Sequence, residues 1–277
     1  MIINSNKEYY LTEVDKKPNS IYCMHDLMGE IDIKLHNHLK GQFLYTEGGV
    51  VHVVTEHKTF FLPARHYMWI PAGVYHSIHP GTPNVIMRNL YFPCEKGEDE
   101  FYSKIGVYPI SELVLQMINY TNRWKGDLES SDKHLWHFAK GFKYILPQVS
   151  IYKLPLDLPY AKDIRLKIVI KYMEENLHEN ILLSDLGKRS GLSSRTLSRL
   201  FKSDVGMSFV QYLTIQRLMR SIVLLLEHRL SVKEVSSMVG YNSVPTFSTT
   251  FYKILGTRPS DYVKQAIISQ DESFSAR

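Results

Sequence analysis

Three histidines are spaced so that they could hold a metal ion or a small polar ligand. In His36-Asn-His38-Leu-Lys-Gly-Gln42 two imidazoles stand two residues apart, and on a strand such residues project to one face. A third, His76, follows the turn Pro71-Ala72-Gly73, from which a neighbouring strand would present it to the first two. Three imidazoles suit zinc, nickel or iron. Gln42 adds a neutral amide oxygen, a poorer ligand than a carboxylate. Trp69, Tyr75 and Phe43 are candidates to line a pocket, although aromatic side chains in a small barrel are more often core. His52, His57, His66 and His79 read as surface or hydrogen-bonded residues.

A second pattern lies near the other end of the chain. Leu186, Gly191, Leu192, Ser193 and Ser194 recur 49 residues later as Val235, Gly240, Tyr241, Asn242 and Ser243. Thr196, Leu197, Ser198, Phe201, Gly206 and Tyr212 recur 50 residues later as Thr246, Phe247, Ser248, Phe251, Gly256 and Tyr262. The change of offset predicts one extra residue at the start of the second unit's last helix. Each copy reads as a short helix, a Gly-apolar-polar turn and a helix with apolar anchors four apart, which is a helix-turn-helix. Gly191 and Gly240 supply the turn's permissive backbone, and Ser193 or Asn242 caps the second helix. Gly187 and Ser236 are small where the two helices approach. Ser231 to Glu234 forms a capping box, whereas the first unit has Leu182 at that position. A solenoid of helix pairs is the competing reading, but such arrays generally need three or more units. Between the copies, Ser208 to Glu227 has helical periodicity, and its 20 residues would span about 30 Å. That is close to the roughly 34 Å between successive major-groove faces of DNA.

The elements that must position these residues divide the chain. Up to about residue 95, β-branched and aromatic segments (50–55, 58–63, 66–71, 84–92) alternate with turns such as Gly48-Gly49 and Pro80-Gly81, the pattern of a sandwich or small barrel. From about 100 to 150 the periodicity becomes helical, Pro155 and Pro159 mark an extended linker, and helical periodicity then continues to about 265. Charge follows the same division: residues 1–160 carry 16 Lys and Arg against 17 Asp and Glu, and residues 161–277 carry 17 against 11. A basic second half suits a polyanionic partner. At 277 residues, 44% hydrophobic and 22% charged, the chain can bury ordinary cores. Its two cysteines, Cys23 and Cys94, have no paired or metal-type spacing and read as free thiols of a reducing compartment. The start, MIINSNKEYYLTEVDKK, has no apolar signal region, and the longest apolar run, Ile222 to Leu226, is too short to span a bilayer. The expectation is a cytoplasmic protein with no membrane partner.

With these residues in view, the chain resembles the AraC/XylS family of bacterial transcription regulators. The resemblance covers roughly residues 161–264 and rests on 191–202 (Gly-Leu-Ser-Ser-Arg-Thr-Leu-Ser-Arg-Leu-Phe-Lys), Gln216-Arg217-Leu218, Val239-Gly-Tyr-Asn242 with Phe247, Ser248 and Phe251, and the closing Gly256-Thr-Arg-Pro-Ser-Asp-Tyr262. It implies a seven-helix domain whose third and sixth helices enter the major groove of double-stranded DNA, and RNA polymerase as a partner. Carried across position by position, the base-facing candidates are Arg195, Ser198 and Arg199 on the first reading helix and Val244, Thr246, Ser248 and Thr249 on the second. Arginine can bond O6 and N7 of guanine together. Phosphate contact or a solvated surface is the competing role for Arg195 and Arg199. Here the sequence departs from the family, in which arginine is common where Thr249 stands and Pro245 is unusual, so the second unit lacks a long basic reader. Leu197, Phe201, Phe247 and Phe251 are assigned to core.

The histidine segments resemble the two cupin motifs, and the family commonly places a cupin-like barrel before its DNA-binding domain. In metal-binding cupins a glutamate usually stands where this chain has Gln42. Three readings stay open for His36, His38, Gln42, Trp69 and His76: a divalent metal held by His36, His38 and His76, a small-molecule effector without metal, or a purely structural barrel.

The resulting fold class is a multidomain α+β chain. It comprises a cupin-like sensory barrel (1–97), a helical connector and possible homodimer segment (98–153), a linker (154–160), an AraC-type double helix-turn-helix domain (161–266) and a C-terminal tail (267–277). The competing reading for the apolar faces of the connector is that they cap the barrel. The expected function is a ligand-responsive activator or repressor and no enzyme. The alternative is a cupin metalloenzyme with an accessory DNA-binding domain, against which Gln42 counts. A nucleoid-type protein without sequence preference conflicts with the modest net charge of +5.

Overall fold

A computed structural model describes residues 13–27, 32–47, 49–81, 85–150, 153–226 and 228–264; the tail at 267–277, Gly48 and Glu227 lie outside the described residues. The chain forms two compact units, Met1–Glu56 with Leu62–Leu154 and His57–Phe61 with Pro155–Arg277.

The first unit is built on two antiparallel sheets. Strands β1 (Ile21–Leu27), β2 (Ile33–His36), β3 (Gly41–Glu47), β4 (Val50–Thr55), β6 (His66–Ile70), β7 (His76–Pro80) and β8 (Ile86–Phe92) follow one another, while β5 (Lys58–Pro63) falls mostly in the segment of the second unit. They are completed by β9 (Gly106–Pro109) and β10 (Gly126–Leu128). Six strands make one sheet in the order β10-β1-β8-β3-β6-β9, and β4, β7 and β2 lie side by side in the other. All seven residues of β3 are buried, because both faces of its sheet are covered. On one face Phe43, Tyr45, Tyr67, Trp69, Leu90 and Phe92 form a core with Val114 and Ile118 of α1 (Glu112–Tyr120) and with Phe142 and Leu146 of α2 (Lys133–Val149). Each such aromatic or aliphatic side chain contributes about 1.5–3 kcal/mol by leaving water.

Two expectations need correction here. The segment 98–153 is not a helical connector throughout, since it supplies β9 and β10 to the six-stranded sheet, and the buried sides of α1 and α2 cap that sheet. Leu113, Tyr120 and Tyr144 keep large exposed surfaces on the same helices. In the linker 154–160, Asp157–Pro159 forms β11, which pairs antiparallel with β5 (Leu158 opposite Thr59). Pro159 ends this strand, where its missing N–H costs no ladder bond.

The second unit is helical: α3 (Ile164–Glu175), α4 (Leu183–Ser190), α5 (Ser194–Leu200), α6 (Phe209–Leu226), α7 (Val232–Met238) and α8 (Val244–Leu255), with helical residues resuming at 259–264. The connecting helix α6 has 18 residues, about 27 Å long at 1.5 Å each. It is long and apolar enough to cross a membrane, but 61% of that span is buried inside the protein, where Leu218, Ile222 and Leu225 are core. Leu197, Phe201, Phe247 and Phe251 are buried as expected.

Candidate functional site

The three histidines converge. His36 at the end of β2 pairs directly with His76 at the start of β7, and their ring centroids lie 4.3 Å apart. His38 is not on a strand, as its spacing suggested, but in the turn between β2 and β3. It is held there by Gly73, whose N–H donates to the His38 carbonyl at 2.8 Å. Gly73 has φ +77°, a conformation glycine adopts without strain. The His38 ring lies 5.3 Å from that of His76 and 5.9 Å from that of His36. One nitrogen from each ring can be chosen so that all three lie within 4.8 Å of one another.

Each Nδ1 meets a backbone carbonyl: His36 that of Lys34 at 2.8 Å, His38 that of Lys40 at 2.5 Å and His76 that of Val74 at 2.9 Å. A carbonyl only accepts, so these contacts assign the proton to Nδ1 and leave Nε2 as a lone pair. Burial holds all three imidazoles below the usual histidine range, and His76, which also faces His36, is pushed down to about 3. His76 Nε2 is buried with no hydrogen-bond partner among the described residues.

Gln42 completes the cluster. Its Oε1 lies 3.1 Å from His38 Nε2, while its Nε2 donates to Asn89 Oδ1 at 2.8 Å and to the Tyr91 hydroxyl at 3.2 Å. Tyr91 also packs edge-on against His38 at 5.0 Å. Neither Asn89 nor Tyr91 was singled out from sequence. The signal was the alternation in Asn89-Leu-Tyr91, but the register that sets Tyr91 opposite Gln42 comes only from strand pairing.

That register also corrects Trp69 as a ligand-binding residue. Trp69 pairs with Phe43, the neighbour of Gln42, so both point to the opposite face, where Trp69 Nε1 donates to the Tyr102 carbonyl at 3.0 Å. Gly41 makes room for it, because a Cβ there would lie 2.3 Å from the indole. Tyr75 is exposed, Phe43 is core, His66 is buried with its Nδ1 on the Ala64 carbonyl, and His79 meets Asp32.

The second candidate surface is on the repeat. Arg195, Arg199, Thr246 and Thr249 are exposed, and Ser198, Val244 and Ser248 half-buried, on helices whose other sides are anchored by Leu197 on α5 and Phe247 on α8. The turns are built alike: the Leu192 N–H donates to the Gly187 carbonyl and the Tyr241 N–H to the Ser236 carbonyl, both at 2.9 Å. A Cβ on Gly187 would stand 2.6 Å from the Leu192 carbonyl oxygen, so the close approach requires glycine there.

Ser193 caps α5, but the cap of α8 is Ser243, not Asn242. The caps are therefore 50 residues apart, so the extra residue enters in the second turn, ahead of the helix. The second reading helix itself carries no arginine, but a basic group stands beside it. Arg258, in the closing Gly-Thr-Arg-Pro turn, donates from Nη1 to Ser248 Oγ at 3.4 Å and lies over the Tyr252 ring at 4.9 Å. Arg258 stands 50 residues after Ser208, at the repeat's own offset.

Residues 186–265 match the family described as helix-turn-helix domain, and residues 30–103 match the family described as AraC-like ligand binding domain. Over 250 residues the chain is 26% identical to the HTH-type transcriptional regulator NimR of Escherichia coli (strain K12), covering 87% of this chain and 86% of that protein. It is 37% identical over 102 residues to the F1 operon positive regulatory protein of Yersinia pestis, covering 36% of this chain and 34% of that protein. Among solved structures, the DNA-binding domain of AdpA in complex with a target DNA is similar at 31% identity, covering 37% of this chain and 93% of that one with a TM-score of 0.36.

Proposed function

Because the chain is an AraC-family DNA-binding transcription regulator with an AraC-like ligand-binding domain, we propose that a small ligand held at His36, His38, Gln42 and His76 controls how it acts on its target genes. The observation that carries this reading is the burial of converging imidazoles inside residues 30–103, in a chain whose other end bears two helix-turn-helix units. In this reading residues 1–97 sense and residues 161–266 bind double-stranded DNA. The ligand is a signal and not a substrate, and the regulator works in the cytoplasm with RNA polymerase as its partner. Arg195 and Arg199 read bases directly, and Val244, Thr246, Ser248 and Thr249 face the groove with fewer long donors.

Selection of binding sites from random double-stranded DNA tests the reading half. The expected result is an enriched motif with two parts about one helical turn apart. Equal binding to every sequence, falling steeply with salt, would overturn it.

A further inference from the structure

Away from the imidazole cluster, the second unit holds a pocket of about 580 Å³ lined by β5, β11, α3, α6 and the residues between β11 and α3. Sites for small organic molecules have volumes of roughly 300–1,000 Å³. The floor is apolar: Leu158, Ala161 and Ile170 are buried, and Phe61 lies beside them. Two tyrosines add aromatic walls. The Tyr160 hydroxyl is tied to Thr59 Oγ1 at 2.5 Å. Tyr212 of α6 is 4% exposed, and its hydroxyl makes no hydrogen bond among the described residues, although it stands close enough to Glu174 and Tyr160 to feel their charges.

At the α3 end of the pocket, acceptors are in excess. Glu174 and Glu175 line it, and neither makes an ion pair among the described residues. Gln216 Nε2 donates to Glu174 Oε1 at 3.3 Å, while Gln216 Oε1 is buried without a partner among the described residues. Withdrawal from water raises the Glu174 carboxyl above its ordinary value, the Gln216 bond opposes this, and the neighbouring charge that acts on it is the like charge of Glu175. Lys167 and Lys171 also line the opening, but both are exposed and neither pairs with these carboxylates.

We propose that this pocket binds a small organic cation, an ammonium group on an apolar or aromatic body. The ammonium donates to the Glu174 carboxylate and to the unpartnered Tyr212 hydroxyl, with the Tyr212 and Tyr160 rings as cation–π faces. The apolar body covers Phe61, Leu158 and Ile170. Tyr212 packs edge-on against Phe201, which directly follows the first reading helix α5, so the cation adds contacts beside that helix-turn-helix unit and shifts its DNA affinity. The site shares no residue with the imidazole cluster, and the proposal stands whether or not a ligand binds there.

The test is calorimetric titration of the full chain with phenylbutylamine, phenylbutanol and phenylbutyrate, which share one body and differ in charge. The expected result is one equivalent of the amine bound, about tenfold or more tighter than the alcohol, with the carboxylate weakest. Glu174→Gln keeps the shape and should remove most of the amine's advantage while leaving the alcohol unchanged, a difference that lost folding does not imitate. Tyr212→Phe should weaken the amine about 2–10-fold. Circular dichroism confirms that each variant is folded. No saturable binding of the amine, or its full advantage persisting in both Glu174→Gln and Glu175→Gln, would overturn the proposal. So would tighter binding of phenylbutyrate that is lost in Lys167→Gln or Lys171→Gln, which would make this an anion site. DNA affinity is measured with and without the amine: binding that leaves it unchanged would overturn the site's action on the DNA-binding unit.

Discussion

In the first helix-turn-helix unit the turn glycine, Gly191, has open space where a Cβ would stand, whereas in the second Gly240 is packed on two sides. A Cβ on Gly240 would lie 2.4 Å from both Arg217 Nη2 and the Leu177 carbonyl oxygen. Both glycines are left-handed, at φ +67° and +78°, so the backbone shape is common and only the surroundings differ. The difference originates on the connecting helix. Arg217 of α6 donates to the carbonyls of Leu177 at 3.2 Å and Glu179 at 2.6 Å, and its guanidinium lies 5.6 Å from the Tyr241 ring. It ties the second turn to the loop after α3. Among the described residues no such tie reaches Gly191, but the first unit carries Arg195 and Arg199 exposed on its reading helix. One copy is anchored more firmly and the other is better equipped to read, so equivalent folds need not make equivalent contributions to binding.

The sharpest test of this contrast is to place alanine at each turn. Gly191→Ala should cost about 1–2 kcal/mol for the left-handed backbone alone. Gly240→Ala should cost that and about 1–3 kcal/mol more, because the new methyl must displace Arg217 or the Leu177 carbonyl. Amide hydrogen exchange across residues 161–264 measures both, and equal losses would break the comparison.

A smaller effect is expected on DNA. Arg199→Ala should weaken binding to the preferred sequence by about 1–3 kcal/mol and relax preference at one position. Arg258→Ala should weaken binding to all sequences alike and reduce the salt slope by about one, as a phosphate contact does. Loss of base preference in the Arg258 variant would make the two units equal readers after all.

The repeat was readable because helix-turn-helix constraints are local: the turn glycines, caps and apolar anchors sit at short spacings that survive in both copies. The tie through Arg217 was not readable, since its partners Leu177 and Glu179 are some forty residues away and accept through backbone oxygens that any residue type would supply. The sensory half shows the same limit. His36, His38, Gln42 and His76 were identified by type and spacing, and their convergence needed only that the turns close. Trp69 was misplaced and Asn89 and Tyr91 passed over because a one-residue change of register exchanges the two faces of a sheet. Hydrophobic alternation could not choose between faces when both are buried, as they are along β3.

The smallest expected difference lies in how the leading helices begin. In the second unit Ser231 and Glu234 form a complete capping box: the Glu234 N–H donates to Ser231 Oγ at 3.3 Å, and the Ser231 N–H and hydroxyl donate to the Glu234 carboxylate at 2.8 and 2.6 Å. In the first unit Leu182 makes no side-chain cap bond. Ser231→Ala should therefore cost about 0.5–2 kcal/mol, and Leu182→Ala should change little at the helix start. The capping box also has a pH signature. Hydrogen bonds from Ser231 hold the Glu234 carboxyl below its ordinary value, so folding favours the charged form. A depressed folded pKa means the contribution is complete above the ordinary carboxylate range and is lost as pH falls through the folded value. Hydrogen exchange at α7 should thus accelerate on acidification relative to α4, after correction for the intrinsic pH dependence of exchange, and Ser231→Ala should remove that added sensitivity. The same acid response at α4, which starts without this box, would mean that the two units do not differ in their caps but share a more general acid weakness.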